Sequence, residues 1–107
     1  MIIDQYNIVL VNLDPTIGSE IKKTRPCLVI SPNEINHNLR TVTIAPLTST
    51  SKAYPTRVLI NHNKKESWAV LDQIRTIDKA RVIKRLGVIS SREISGIKRV
   101  IKETFVD

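Results

Sequence analysis

Short runs of β-branched and apolar residues alternate with polar breaks along most of the chain. Runs of this length and composition are typical of β-strands, and the breaks are rich in the Pro, Asn, Asp and Ser residues that favour turns. The predicted strands span residues 6–13, 26–31, 41–47, 56–60, 68–74 and 82–88. Six short strands favour a small β-barrel, because curling a sheet on itself removes its exposed edges.

The last segment has a helical pattern instead. Ser90 is followed three residues later by Glu93, which is the spacing of a capping box. Ile94, Ile97 and Ile101 then recur at intervals of three and four residues. This pattern predicts a helix over residues 91–104, whose basic opposite face we interpret as a solvated surface.

A chain of 107 residues predicts a single domain over 1–107. Its hydrophobic fraction of 41% and charged fraction of 25% are those of a folded globular protein. The lone Cys27 cannot form an internal disulfide, and its place in an apolar run indicates a packing role. Without a leader sequence or a long apolar run, we expect a cytoplasmic protein that does not enter a membrane.

Charge narrows the class of partner. Lys and Arg number 17 against 10 Asp and Glu, which gives a net charge of +7. This excess favours polyanionic partners such as RNA, DNA or an acidic polypeptide, without choosing among them. Aromatic residues make up only 4% of the chain, too few for a nucleic-acid platform of stacked rings.

Common cofactor and metal signatures are missing from the sequence. The three glycines stand apart, so neither a phosphate-binding loop nor a dinucleotide fingerprint is present. His37 and His62 fall in polar breaks, and with one cysteine they complete no recognised zinc spacing. We therefore expect no cofactor and no metal, and we interpret both histidines as loop residues.

The candidate chemistry lies at strand ends in the first half of the chain. Pro26 biases the residue before it toward extended backbone, which places Arg25 at the mouth of a strand. A later strand ends just before Thr48. If these two strands are neighbours, Arg25 and Thr48 can share one concave site with Ser19 and Glu20.

Such a site suits phosphodiester cleavage in RNA. When a ribose 2′-hydroxyl attacks its phosphorus, charge grows on the non-bridging oxygens, and a guanidinium can donate two parallel hydrogen bonds to them. Arg25 is a poor base because its pKa exceeds about 12, so Glu20 is the better candidate for a general base. A surface ion pair between Glu20 and Arg25 is the alternative interpretation.

Four blocks of sequence resemble, in order, those of the MazF/PemK family of toxin endoribonucleases. They are residues 12–20 (NLDPTIGSE), 24–31 (TRPCLVIS), 44–49 (IAPLTS) and 71–78 (LDQIRTID). The resemblance implies a mainly β, SH3-like barrel with a C-terminal helix that forms a homodimer. It also implies metal-independent cleavage of single-stranded RNA at short sequence motifs, and silencing by a cognate antitoxin.

The resemblance also implies roles for individual residues. Arg25 corresponds to the main catalytic arginine and Thr48 to the threonine beside it, while Ser19 and Glu20 correspond to supporting catalytic positions. Contacts with RNA are expected at four further positions: Lys23, Ser49, Asp72 and Gln73. Some relatives carry histidine at the position of Ser19, so their proton-transfer steps do not carry over. The expected products are a 2′,3′-cyclic phosphate and a 5′-hydroxyl.

Two other functions stay open at this point. A related family with the same barrel poisons DNA gyrase by binding it, and a non-catalytic member could repress its own operator DNA, alone or with an antitoxin.

Two further predictions concern packing. We expect Trp68 to lie in the core or a dimer contact. Arg75 and Asp78 are expected to form an ion pair or a dimer contact.

Overall fold

One curled antiparallel sheet organises the molecule, a computed structural model that describes residues 1–13 and 24–106. The elements in that part of the chain are β1 (Asn7–Asn12), β2 (Thr24–Val29), α1 (Asn33–Asn36), β3 (Thr41–Thr48), β4 (Arg57–His62), β5 (Lys65–Val70), β6 (Arg75–Asp78), β7 (Val82–Val88) and α2 (Ser91–Ile101). Short 3₁₀ turns cover Leu71–Gln73 and Lys79–Arg81, and α2 continues into a π-helical turn over Lys102–Val106.

The strand order is β4-β5-β3-β2-β1-β7, and β6 pairs with β3 as well. Strand β3 is shared by two partners on one side: its first half pairs with β6 and its last two residues pair with β5. The sheet curls into a half-barrel with one C-terminal helix. The predicted mainly β, barrel-type fold with a C-terminal α-helix is therefore confirmed.

Both faces of the central strands are buried, which explains why their sequences read as nearly continuous apolar runs. Ile8 on β1 and Leu28 on β2 face a cluster that includes Ile97 of α2. Their neighbours point the other way, because side chains alternate along a strand. Val9 and Cys27 thus belong to a second cluster on the opposite face.

The strand predicted over residues 68–74 is wrong at its end. Strand β5 stops at Val70, and the 3₁₀ turn Leu71–Gln73 moves the chain to the other half of β3, where β6 forms. Hydrogen bonds fix this turn: the Leu71 N–H donates to the Thr56 carbonyl at 3.1 Å. Because Thr56 lies in another segment of the chain, the apolar pattern of residues 68–74 cannot show that the strand ends at Val70.

The polar break predicted at residues 61–66 is shorter in the structure. Strands β4 and β5 pair as far as His62 with Lys65, leaving a two-residue turn. Asn63 and Lys64 adopt φ values of 50° and 63°. Both turn positions thus have the positive φ of a tight hairpin turn, for which Asn-Gly is the usual sequence signal. Lys64 in place of glycine weakens that signal, so the strands were predicted too short.

Helix α2 begins with the predicted capping box. The Glu93 N–H donates to the Ser90 hydroxyl at 3.2 Å, and the Ser90 N–H donates to the Glu93 carboxylate at 2.9 Å. The same carboxylate accepts the Asn61 N–H at 2.7 Å, which joins the helix start to β4. Ile97 and Val100 are buried in the core. None of the helices in the described ranges is long and apolar enough to cross a bilayer.

The structure confirms a packing role for Cys27, which is fully buried on β2. Burial raises the pKa of its thiol to about 12, even though Arg25 and Arg75 act to lower it. The thiolate is the reactive form, so the folded protein should not react with a thiol reagent such as iodoacetamide at pH 8. Mass spectrometry should detect alkylation only after denaturation. Rapid alkylation of the native protein would contradict this placement.

Candidate active site

An open groove lies where the start of β2, the end of β3 and the start of β5 meet. It has a volume of about 410 Å³, and Arg25, Thr48 and Ser49 are among its lining residues. In the antiparallel pair of β2 and β3, Cys27 lies opposite Pro46. Continuing that register by two residues places Arg25 opposite Thr48. The structure therefore brings together the two residues that the sequence predicted to share a site.

Arg25 stands at the mouth of β2, as its position before Pro26 predicted. It is the second residue of the strand, its backbone pairs with Val11 of β1, and its side chain is exposed. Among residues 1–13 and 24–106, no carboxylate forms an ion pair with its guanidinium. Five N–H donors in a planar array are thus presented to the groove, a geometry that suits a phosphate.

Thr48 is half-buried at the last position of β3, and its hydroxyl is oriented by the next turn. The Thr50 N–H donates to the Thr48 Oγ1 at 3.3 Å, and the Thr48 hydroxyl donates to the Thr50 carbonyl at 3.2 Å. Ser49 and Thr50 also line the groove. These three hydroxyl-bearing side chains therefore line the same groove as Arg25.

Lys65 and Ser67 are groove residues that sequence reasoning missed. Lys65 follows the β4–β5 turn directly and opens β5, whose later residue Trp68 pairs with Thr48. The groove thus has a second cation opposite the Arg25 strand. A clear sequence signal for a two-residue turn would have predicted that β5 begins at Lys65. Asn63-Lys64 is a weak signal of this kind, because the usual turn sequence is Asn-Gly.

Three predicted site residues lie outside the described part of the chain. Ser19 and Glu20 were predicted to support catalysis, and Lys23 was predicted to bind RNA. All three precede β2 in sequence, within the stretch 14–23.

Asp72 and Gln73 are exposed on the 3₁₀ turn after β5 and do not line the groove. Asp72 accepts the Thr56 hydroxyl at 3.0 Å, and its carboxylate lies 3.5 Å from the Arg57 Nε. Arg57 also donates to the Ser51 hydroxyl and stacks on the Tyr54 ring at 4.8 Å. Asp72 and Arg57 thereby anchor the β3–β4 loop, whose first residues line the groove. Contacts of Asp72 and Gln73 with RNA stay predictions.

This anchoring gives a pH-dependent contribution to stability. Slight burial acts to raise the pKa of Asp72, but hydrogen bonds from Thr56, the backbone and Arg57 outweigh it and lower the pKa. The stabilisation is present above the unfolded carboxyl pKa of 3.8 and is lost as the pH falls through the lower folded value. Asp72→Asn should therefore cost about 0.5 kcal/mol at pH 7, because the ion pair is partly exposed.

Urea unfolding of wild type and Asp72→Asn at pH 7 and pH 2.5 checks this prediction. The two free energies of unfolding should differ at pH 7 and converge at the lower pH. A difference of the same size at both pH values would contradict an ionic role for Asp72.

The remaining polar candidates lie outside the groove. The His37 Nε2 lies 2.8 Å from the Asp4 carboxylate, at hydrogen-bond distance. No group of three His, Cys, Asp or Glu side chains within residues 1–13 and 24–106 could hold a metal. Arg75 and Asp78 do not form the predicted ion pair, since Asp78 instead accepts the Ala80 N–H at 2.8 Å. Their spacing of three would suit a helix, whereas both lie on strand β6.

The sequence of this chain is similar to those of known toxins. The family model described as PemK-like, MazF-like toxin of type II toxin-antitoxin system matches residues 4–105. The endoribonuclease toxin MazF of Escherichia coli (strain K12) is 32% identical over 99 residues, covering 92% of this chain and 89% of that protein. Endoribonuclease MazF of Staphylococcus saprophyticus is 34% identical over 101 residues, covering 89% and 84%.

Solved structures show the same fold. MazF from Deinococcus radiodurans superposes with a TM-score of 0.79 at 26% identity, covering 100% of this chain and 99% of that one. A mycobacterial endoribonuclease in complex with its cognate antitoxin gives a TM-score of 0.82 at 19% identity, covering 96% and 94%. The matched span and the identity to its relatives together show that this chain belongs to the PemK-like, MazF-like family of type II toxin–antitoxin toxins.

Proposed function

We propose that this protein is a toxin endoribonuclease that cuts single-stranded RNA at a specific sequence. The observation that carries the proposal is the single groove that both the exposed Arg25 and Thr48 line. Its relatives of 32% and 34% identity are named endoribonucleases, which supports the same activity here. A purely protein-binding toxin needs neither residue at this position.

The proposed reaction uses the RNA's own 2′-hydroxyl. Its oxygen bonds to the adjacent phosphorus while the bond from phosphorus to the 5′-oxygen breaks. The 2′-proton passes to a base and the 5′-oxygen gains a proton, so the products are a 2′,3′-cyclic phosphate and a 5′-hydroxyl. No metal ion is needed in this proposal, because cationic and neutral donors from the protein meet the developing charge.

Each groove residue has a distinct part in this reaction. Arg25 donates to the non-bridging oxygens, whose negative charge grows in the transition state, and Thr48 adds a neutral donor. Ser49 and the exposed Lys65 hold the flanking backbone, where a lysine acts as a point charge. Ser19 and Glu20 are proposed to assist, with Glu20 positioning Arg25 or accepting the proton, and Lys23 to bind RNA.

The proposal includes partners and a location. A cognate antitoxin protein is expected to silence the toxin, as the paired toxin and antitoxin structures of similar fold suggest. A homodimer is supported by exposed apolar side chains on β7, where Ile83 and Val88 are 47% and 65% accessible. We also propose binding to operator DNA together with the antitoxin, and a cytoplasmic location.

Incubating the purified protein with a long RNA in the presence of a metal chelator tests this function. Defined fragments whose ends map to one short sequence motif are expected. A gel shift without cleavage would instead favour a non-catalytic nucleic-acid binder. Neither cleavage nor a shift would favour a toxin that acts by binding a protein such as gyrase.

A further inference from the structure

A second cavity lies beside the groove and shares part of its lining. It has a volume of about 170 Å³, and the side chains of Ile8, Ile60 and Leu86 contribute apolar walls. Four residues line both spaces: Pro26, Leu47, Lys65 and Ser67. A ligand could therefore place an anionic group by Arg25 and an apolar group in the cavity at the same time.

The cavity has one unusual polar wall. His62 lines it, and the Nε2 of this histidine is buried with no hydrogen-bond partner in the described part of the chain. A buried polar atom without a partner carries an energetic cost, and a bound ligand that supplies the partner is one way to remove it. An occupant that offers only hydrocarbon would leave this cost in place.

Gly87 provides the space that the imidazole occupies. A Cβ atom at this position on β7 would lie 2.5 Å from the His62 Cε1, which is closer than real Cβ contacts. Because the obstructing atom is the far end of a side chain, a larger residue there would displace the ring rather than the strand. The position of the His62 ring thus depends on the absence of a side chain at Gly87 of β7.

We propose that this cavity binds a nucleobase of the RNA, from the nucleotide adjacent to the phosphate held by Arg25. A base is flat and largely apolar on its faces, and its edge carries donors and acceptors that can form a hydrogen bond with the imidazole of His62, a lining residue of the cavity. Lys65 lines both spaces, so its ammonium can hold the backbone that links the base to the phosphate. The inference rests on the proposed function and makes His62 a specificity-determining residue.

His62→Phe tests the base contact, because it keeps an aromatic ring while removing the ring nitrogens. Gly87→Ala tests it a second way, since it leaves the histidine in place but displaces its ring. His37→Phe is the matched control, because that histidine pairs with Asp4 away from the groove. The readout is the base preference at each position around the cut, obtained by sequencing the products of a randomised RNA pool.

We expect both variants to lose about tenfold in preference at one position beside the cut, the effect of one lost hydrogen bond. In the His37→Phe control, the base preference should change by less than about threefold at every position. An unchanged preference in a folded His62→Phe or Gly87→Ala protein would overturn the inference. If His62→Phe fails to fold, Gly87→Ala decides the matter.

A binding experiment separates this inference from the proposed function. A DNA oligonucleotide with the sequence of the cleavage site has no 2′-hydroxyl groups. It cannot be cut by the proposed reaction but still presents its bases. In NMR spectra of the wild-type protein, the imidazole signals of His62 should shift on its addition while those of His37 do not. Such a shift without any RNA cleavage would reject the nuclease and keep the base site. No shift at His62 would overturn the base site and leave the cavity to another occupant.

Discussion

Arg25→Gln should lower the rate of RNA cleavage by about 10²- to 10³-fold, the usual cost of removing one donor to a developing oxyanion. The free energy of unfolding should change by less than about 0.5 kcal/mol, because the side chain is exposed and has no ion-pair partner among the described residues. Single-turnover cleavage of a fluorescent RNA and urea unfolding measure the two effects.

Two further variants sharpen this prediction. Arg25→Lys should also be strongly impaired, because an ammonium cannot make the two parallel hydrogen bonds of a guanidinium. Arg40→Gln is the matched control, since Arg40 is an exposed arginine that does not line the groove. Full activity in Arg25→Gln would remove Arg25 from the reaction and leave the groove without a catalytic cation.

A single 2′-deoxy sugar on the 5′ side of the cut should abolish cleavage at that bond. The substitution removes the nucleophile of the proposed reaction and leaves the scissile phosphate unchanged, so binding should fall little. Gel electrophoresis of matched oligonucleotides gives the rates, and mass spectrometry gives the ends. The unmodified RNA should yield a 2′,3′-cyclic phosphate and a 5′-hydroxyl.

The same oligonucleotide with the deoxy sugar moved several nucleotides away is the control and should be cut normally. Efficient cutting at a deoxy position would show that water or a protein group attacks the phosphorus. The fold and the family assignment would stand in that case, whereas the proposed reaction would not.

Much of the fold follows from local sequence pattern. The bounds of β1 and β7 are predicted to within one residue and those of β2 to within two, because the apolar residues of these strands are continuous and turn-forming residues mark their ends. The capping box of Ser90 and Glu93 likewise predicts the start of α2, since the two partners are only three positions apart. Patterns of this kind succeed where the interacting residues are close in sequence.

The errors arise where distant segments decide the structure. Strand β3 takes β6 and β5 as partners along its length, and nothing within residues 68–78 shows where the change occurs. The short helix α1 was predicted as part of a break, because its four residues are too few for a periodic pattern. A period needs at least two turns to be visible.

The candidate site shows the same division. Placing Arg25 beside Thr48 required only that β2 and β3 be neighbours, and consecutive strands commonly pair. Lys65 and His62 were not predicted as groove or cavity residues, because they reach the site through a hairpin turn with an unusual sequence. The contact of Asp72 with RNA stays a prediction, and its anchoring of the β3–β4 loop through Thr56 and Arg57 is a role that the sequence pattern does not reveal.

The account depends on Arg25 and Thr48 acting on the same phosphate, and a double-mutant cycle measures this directly. Thr48→Val keeps the shape of the side chain and removes its hydroxyl, so it should slow cleavage about tenfold in the wild-type background. In the Arg25→Gln background the same change should cost less than about twofold, because residues that act as a unit are not additive. A tenfold loss in both backgrounds, or no loss in either, would contradict a shared site.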